Sequence, residues 1–464
     1  MISVRRRGAA RLAAAVLASG LVAAGAIATA GTAAADDAPP SQGGATATLG
    51  GLKTFDKAII HDNGKDQQVG AGLFEMSVDN GGSIQTYCID LHNPTQSKAK
   101  YEEKSWAETS LANNSNAGKI NWVLQNSYPQ VNDLGALAKT AGTGPLTEKT
   151  AAAGTQVAIW RFSDNAKVDA ADPQAEKLAD YLEKNAQNLQ EPKASLSLDP
   201  PAVSGKAGER LGPVKVHTNA DSVTLAPGAE SAGGVKLVDK SGKTITSAAD
   251  GGEVYFDVPE GAADGSATLT AQAATKVPVG RAFASATKSQ TQILAGSSES
   301  TVSATATANW AKKGAVPAVS AEKDCAKGGV DITASNKGDE AFTFELLGQK
   351  YTVEAGQSKT VTAPVKEDQS YKFTISGPNG FEKTFSGVLD CKTSSSGGSS
   401  DTPSSQPSPA SAGGSTGGDT SGGDLAETGS SSNTPMIAGI AVALVVVGGG
   451  AIFFVRKKKA TAGE

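Results

Sequence analysis

Histidine is scarce in this chain of 464 residues: only His61, His92 and His217 occur, and none sits in a recognisable hydrolase signature. Cysteine is as rare, with Cys88, Cys325 and Cys391 alone. No basic patch of the kind that follows a phosphate backbone stands out, and the formal net charge is -5, so a nucleic-acid partner is not expected. Acidic residues such as Asp250, Asp257 and Asp264 are scattered without ligand-loop spacing, so neither a metal nor a cofactor is expected. Aromatic residues make up 5% of the chain against 54 glycines and 20 prolines, a balance that suits turn-rich β structure better than a helical enzyme. The length exceeds one ordinary core, and two to four domains are expected.

The ends of the chain are the most legible parts. Residues 1–35 carry Arg5, Arg6, Arg7 and Arg11, then an Ala/Leu/Val-rich run, then Ala33, Ala34 and Ala35. That is the pattern of a signal peptide, with general secretion favoured over twin-arginine export because the residues that should follow the arginines are missing. Met436–Val455 has no charge, is long enough to cross a bilayer core as a helix, and is followed at once by the basic tail 456–464. Immediately upstream stands Leu425-Ala426-Glu427-Thr428-Gly429. The ordered set of pentapeptide, apolar span and basic tail resembles the sorting signal of Gram-positive bacteria, in the form common in actinobacteria. The resemblance implies cleavage by a sortase between Thr428 and Gly429, attachment to peptidoglycan through Thr428, contact with the membrane only before sorting, and a mature protein on the cell wall.

Between these ends, residues 393–424 are almost wholly Ser, Gly, Thr, Pro and Asp, too polar to bury a core, and read as a disordered wall-spanning linker with a reach of roughly 30 Å. Residues 194–312 show short β runs parted by Gly, Asp and Ser turns, as in an Ig-like β-sandwich stalk domain. A second β-sandwich unit is expected over 316–392, bracketed by Cys325 and Cys391. In an exported chain those two cysteines read as a disulfide, worth about 4 kcal/mol in the chain-entropy account.

Cys88 is then left over, in "GGSIQTYCIDLHNP", a strand leaving a glycine turn with Ile84, Thr86 and Cys88 on one face. An unpaired cysteine in an exported protein points to chemistry or to concealment in a core. A second oddity is Gln156 in "LTEKTAAAGTQVAIWRFSD". A helix over 147–162, capped by Thr147, puts Ala152, Ala153, Ile159 and Trp160 around Gln156 and aims its carboxamide into an apolar stripe. A buried carboxamide needs a partner that satisfies it or reacts with it. A thiol and a carboxamide are the ingredients of an internal thioester: the sulfur attacks the amide carbon and ammonia leaves.

The order of signal peptide, "YCIDL" from Tyr87, "TQVAIW" over Thr155, Gln156, Ala158 and Trp160, β stalk and sorting signal resembles the thioester-domain surface proteins of Gram-positive bacteria, marked by a Thr-Gln-x-Ala motif. The resemblance implies a mixed α/β thioester domain over 46–192, Cys88 as sulfur donor, Gln156 as acyl donor, and covalent capture of a target-surface amine in one turnover. That is adhesion and not enzyme catalysis. Asp90, His92 and Tyr87 adjoin Cys88, and surface solvation is the role expected for them. The alternatives are a noncovalent wall-anchored binding module with an incidental Cys88, or a cysteine hydrolase using one of the three histidines as base. The sorting signal has a direct consequence. Thr428→Ala, or deletion of 456–464, is expected to move the protein from the muramidase-released wall fraction to membrane or medium, and unchanged recovery from the wall would contradict the anchor.

Overall fold

The computed structural model describes residues 43–62, 64–228 and 234–393. The expected signal peptide, the linker beyond 393, the sorting pentapeptide, the apolar span and the basic tail lie outside the described residues. Among the described residues no helix is long and apolar enough to cross a membrane.

The first part of the chain forms β1 (Thr46–Asp62), β2 (Lys65–Val78), β3 (Ser83–Cys88), β4 (Lys100–Lys104), α1 (Ala117–Gln125), α2 (Leu134–Ala141), α3 (Glu148–Ser163), β5 (Val168–Ala170) and α4 (Pro173–Asn185). Next come β6 (Leu196–Asp199), β7 (Ala202–Lys206), β8 (Arg210–Thr218), β9 (Val223–Pro227), β10 (Lys236–Val238), β11 (Ser247–Ala248), β12 (Glu253–Asp257), β13 (Gly265–Lys276), β14 (Ala282–Ser285), β15 (Gln292–Ser297) and β16 (Glu299–Ala311).

The sheet around the first domain runs β2-β3-β15-β14-β4-β1-β5, and because β1 also pairs with β2, six of its strands close into a ring. Two of those six, β14 and β15, come from the segment expected to be a separate stalk. The structure therefore differs from a stalk unit confined to 194–312. β13 and β16 pair residue for residue from Gly265↔Trp310 to Lys276↔Glu299, and the chain between them leaves this long ladder as a tip that completes the neighbouring sheet. The excursion is hidden because β14 and β15 have no alternation: Phe283, Ala284, Ile293, Leu294 and Ala295 are all buried, one face of each strand inside the ring and the other under its cover. Their apolar runs look like any other β segment.

The remaining strands of this part form a four-stranded sheet, β10-β12-β8-β6, and a five-stranded one, β11-β9-β13-β16-β7. Inward residues of both, including Val214, Phe256, Leu225 and Leu269, belong to the same apolar cluster as Tyr87, Ile159 and Phe283 of the first domain. One core thus runs through both.

Beyond it lie β17 (Pro317–Asp324), β18 (Gly329–Asn336), β19 (Phe342–Leu346), β20 (Gln349–Val353), β21 (Ser358–Pro364), β22 (Ser370–Ser376) and β23 (Glu382–Val388). They enclose their own core of Val330, Ile332, Phe344, Ile375 and Phe385. Cys325 and Cys391 are disulfide-bonded with Cα atoms 5.2 Å apart, as expected. The disulfide sits against the first domain, where Cys325 N–H donates to Ala107 O at 3.1 Å and Asn113 Nδ2 donates to Cys325 O at 3.0 Å.

The join between the ring and the excursion is held by a buried charge. Glu103, at 3% exposure, accepts from Arg281 Nε at 2.9 Å, from Ser195 N–H at 2.9 Å and from Ala45 N–H at 3.2 Å. A single carboxylate therefore ties three distant segments. Removing one member of a buried ion pair strands the other without water, at a cost of about 3–5 kcal/mol. Arg281→Ala is expected to lower stability by that amount in chemical denaturation. A fragment ending at residue 192, lacking β14 and β15, is expected to show no cooperative thermal transition of its own.

Candidate functional site

Helix α3 is built to be buried. Thr147 caps its start, accepting from Thr150 N–H at 3.2 Å, and the run Ala151-Ala152-Ala153-Gly154 keeps one side thin. A Cβ on Gly154 would lie 2.4 Å from Ala175 O of α4, so the two helices touch there through backbone. That thinness lets α3 lie between α4 on one side and β1, β2 and β3 on the other. Every residue from Ala151 to Trp160 is buried. Gln156 is fully enclosed, as the sequence reading anticipated.

The enclosed carboxamide meets Cys88, the last residue of β3, itself fully buried. Cys88 N–H donates to Gln156 Oε1 at 3.0 Å, and Gln156 Nε2 donates to Cys88 O at 2.8 Å. Both ends of the carboxamide are thus matched to the two backbone groups of one residue, much as a neighbouring strand would match them. Four residues along the helix, Trp160 Nε1 donates to Cys88 Sγ at 3.4 Å, and Asp90 N–H donates to the same sulfur at 3.5 Å. The other residues of the motif have supporting contacts. Thr155 Oγ1 donates back to Ala151 O at 2.8 Å, Ala158 is fully buried, and Tyr87 Oη donates to Tyr128 O at 2.7 Å.

The expected role of Asp90 and Tyr87 as solvated residues is corrected by burial. Asp90 is 1% exposed and Tyr87 is fully enclosed, because the chain after β3 dives under the 288–292 segment instead of continuing along the surface. Gln290 Nε2 donates to Asp90 O at 2.5 Å, Gln290 N–H to Pro94 O at 3.2 Å, and Ile89 N–H to Thr291 O at 3.1 Å. Gln292 lies directly opposite Cys88 in the β3–β15 ladder and accepts from Thr86 Oγ1 at 3.0 Å. Gln290, Gln292 and Asp164 escape a reading of the sequence. Their one signal is a pair of glutamines, alternating just ahead of an apolar run, the same anomaly that singles out Gln156. His92 is half-buried. His61 is held by Asp66 at 2.7 Å and Asp169 at 3.1 Å, which raise its pKa, and His217 lies on β8, so no histidine is hydrogen-bonded to Cys88.

Burial pushes the Cys88 thiol well up, Asp164 adds to the rise, and the Trp160 indole opposes it. Burial thus favours the neutral thiol over the thiolate. Burial also raises Asp90 to about 8, with Asp390 and Asp164 as further causes, and raises Asp164 to about 6. Asp164 Oδ1 accepts from Leu91 N–H at 2.9 Å, and Asp164 lines a cleft of about 670 Å³ shared with His61, Asp62, Asp66, His92 and Lys167. At the edge of the third domain Glu367, Asp368 and Asp390 bring carboxylate oxygens within 4.8 Å of one another. Two of the three already have protein donors: Lys288 for Asp368 at 2.8 Å, and the N–H groups of Cys391 and Lys392 for Glu367.

An unpaired cysteine locked against a buried glutamine by a strand–helix contact is the arrangement that decides the comparison with known proteins. Residues 85–188 match the family described as the thioester domain. That span contains Cys88 and Gln156, and the family is known for covalent attachment to targets. Residues 317–388 match the family described as the bacterial phospholipase C, C-terminal domain, a span that coincides with the third set of strands. Among solved structures the chain is similar to the Bacillus anthracis TIE protein, at 15% identity and a TM-score of 0.27 over 76% of this chain and 81% of that one. It is also similar to the thioester domain of the Enterococcus faecium TIE86 protein, at 17% identity and a TM-score of 0.27 over 58% of this chain and 97% of that one. A third likeness is to the thioester domain of the Staphylococcus aureus TIE protein, at 13% identity and a TM-score of 0.21 over 57% of this chain and 98% of that one. Likenesses this distant carry no further argument. No curated protein matches the chain.

The raised carboxyl groups of this thioester-domain segment have a thermodynamic consequence. Asp90 and Asp164 keep protons in the folded state that the unfolded chain releases near pH 4, so the folded state binds more protons between about pH 4 and 8 and stability must fall as pH rises through that window. Unfolding free energy is expected to drop by about 5 kcal/mol between pH 5 and 8.5, most of it from Asp90. Asp90→Asn is expected to remove most of that slope in urea titrations at the two pH values.

Proposed function

We propose that this chain is a cell-wall-anchored surface protein whose Cys88 and Gln156 close into an internal thioester that captures an amine on a target surface. The observation that carries the reading is the double hydrogen bond between the Gln156 carboxamide and the Cys88 peptide, inside a site closed to solvent. Holding the two reactants this way makes thioester closure intramolecular, an advantage that in well-oriented systems reaches about 7–11 kcal/mol of barrier. Enclosure slows hydrolysis of the bond afterwards by limiting the access of water to the acyl carbon. The match of residues 85–188 to a family of covalently attaching domains supports the same reading.

In this account an amine attacks the acyl carbon of residue 156, the carbon–sulfur bond breaks, and the products are an amide and the Cys88 thiol. Nothing restores the thioester, so the protein acts once and is not an enzyme. No cofactor takes part. Trp160 stabilises the departing sulfur with its indole N–H, and the cleft lined by Asp164 offers a route for the incoming amine. The sequence motif at Leu425–Gly429 supports sortase as the processing partner and peptidoglycan as the anchor through Thr428.

The full-length chain, incubated with an isotopically labelled primary amine, is expected to carry one label per molecule, on residue 156, with the Cys88 thiol released in equal amount. Cys88→Ala and Gln156→Ala should take up none. Labelling elsewhere, or equal labelling of the variants, would reject the proposal.

A further inference from the structure

We propose that Asp90 is the proton carrier of the Cys88–Gln156 exchange, an inference that rests on the thioester reading above. Closure demands that the thiol proton leave sulfur and that a proton arrive on the departing nitrogen. Burial makes spontaneous ionisation of the thiol unfavourable, so a group beside the sulfur must handle both transfers.

Asp90 is two residues from Cys88, and its own N–H lies on Cys88 Sγ at 3.5 Å. Its backbone is held from the other side by Gln290 Nε2, so the position of its side chain is set by the fold. The carboxyl is 1% exposed. Oδ2 accepts from Asn93 Nδ2, while Oδ1 has no hydrogen-bond partner. Among the described residues it is the only buried carboxylate oxygen left without one. An orphaned acceptor in a closed site is costly and calls for an explanation.

Neighbouring candidates are committed. Both Asp164 oxygens accept, from Leu91 N–H and Ser163 Oγ. Tyr87 gives its hydroxyl proton to Tyr128 O, and Tyr101 is engaged with Ser289 and Gln290 O.

The steps balance without any added reagent. In closure the Asp90 carboxylate takes the thiol proton, sulfur bonds to the Gln156 Cδ, the Cδ–Nε2 bond breaks, and Asp90 returns the proton to the nitrogen that leaves as ammonia. In capture the amine nitrogen bonds to the acyl carbon and yields a proton to the carboxylate. The carbon–sulfur bond then breaks, and Asp90 passes the proton to sulfur. Charged and titratable groups facing Asp90 are Cys88 on β3, Asp164 at the end of α3, Tyr101 on β4, and Asp368 and Asp390 of the third domain. Burial first, and then Asp390, Asp164 and Asp368, raise its titration to about 8, where both protonation states are at hand.

The test uses the full-length chain and methylamine, with capture rates followed by intact mass from pH 6 to 9.5. For wild type, the rate divided by the free-amine fraction should bend near pH 8. In Asp90→Asn the bend should vanish and the rate should fall about 100-fold, and in Asp90→Gly added formate should restore part of the loss. The proposal is overturned if wild-type rates simply follow the free-amine fraction, a measurement that needs no variant. It is overturned equally if folded Asp90→Asn captures methylamine within twofold of wild type at every pH, and in both cases the thioester reading survives. A wild-type chain that captures nothing overturns both.

Discussion

Two hydrogen bonds across a strand and a helix govern the rest of this molecule. By presenting an amide oxygen to the Cys88 N–H and an amide nitrogen to the Cys88 carbonyl, Gln156 replaces the backbone partner that the end of β3 would otherwise need. The pairing gives both ends of a buried carboxamide a partner and holds it against the residue that carries the thiol. In the proposed reading, stability and reactivity come from one contact. The same low-polarity surroundings that strengthen the bonds keep the thiol neutral and water out.

That contact is only as rigid as what surrounds it, and much of the surrounding structure comes from far along the chain. β15 places Gln292 opposite Cys88, Gln290 pins Asp90, and the Glu103–Arg281 pair fastens the excursion to the ring. Lys288, in the same excursion, is paired with Asp368 of the third domain at 2.8 Å. The three parts of the described chain thus converge on the 88–97 segment. A domain whose site had to be fixed by its own residues alone would leave one side of β3 unpaired.

How much of this was legible follows from the range over which each feature is determined. The helix bearing Gln156 was readable because its cap and its apolar stripe are local: the expected start at Thr147 is its N-cap, and the neighbours expected around Gln156 are buried. Thr86 and Cys88 share a face, as alternation requires. The Cys325–Cys391 pair followed from export and bracketing. What could not be read is what depends on long-range pairing. β14 and β15 carry nothing in their own residues to say which sheet they join, so the boundary drawn at 194 divides strands of one ring. The burial of Asp90 and Tyr87 has the same origin, since the cover over them arrives from residues about 200 positions away.

The central claim concerns a single covalent bond, and its most direct measurement is the intact mass of freshly isolated, untreated protein together with the sequence of its 88- and 156-containing peptides. The account predicts a mass lower than calculated by one ammonia, with the two peptides recovered as one cross-linked species that separates on mild base. A full calculated mass, with a free Cys88 thiol and an unmodified Gln156 carboxamide, would contradict it and leave the buried glutamine as a purely structural partner of β3.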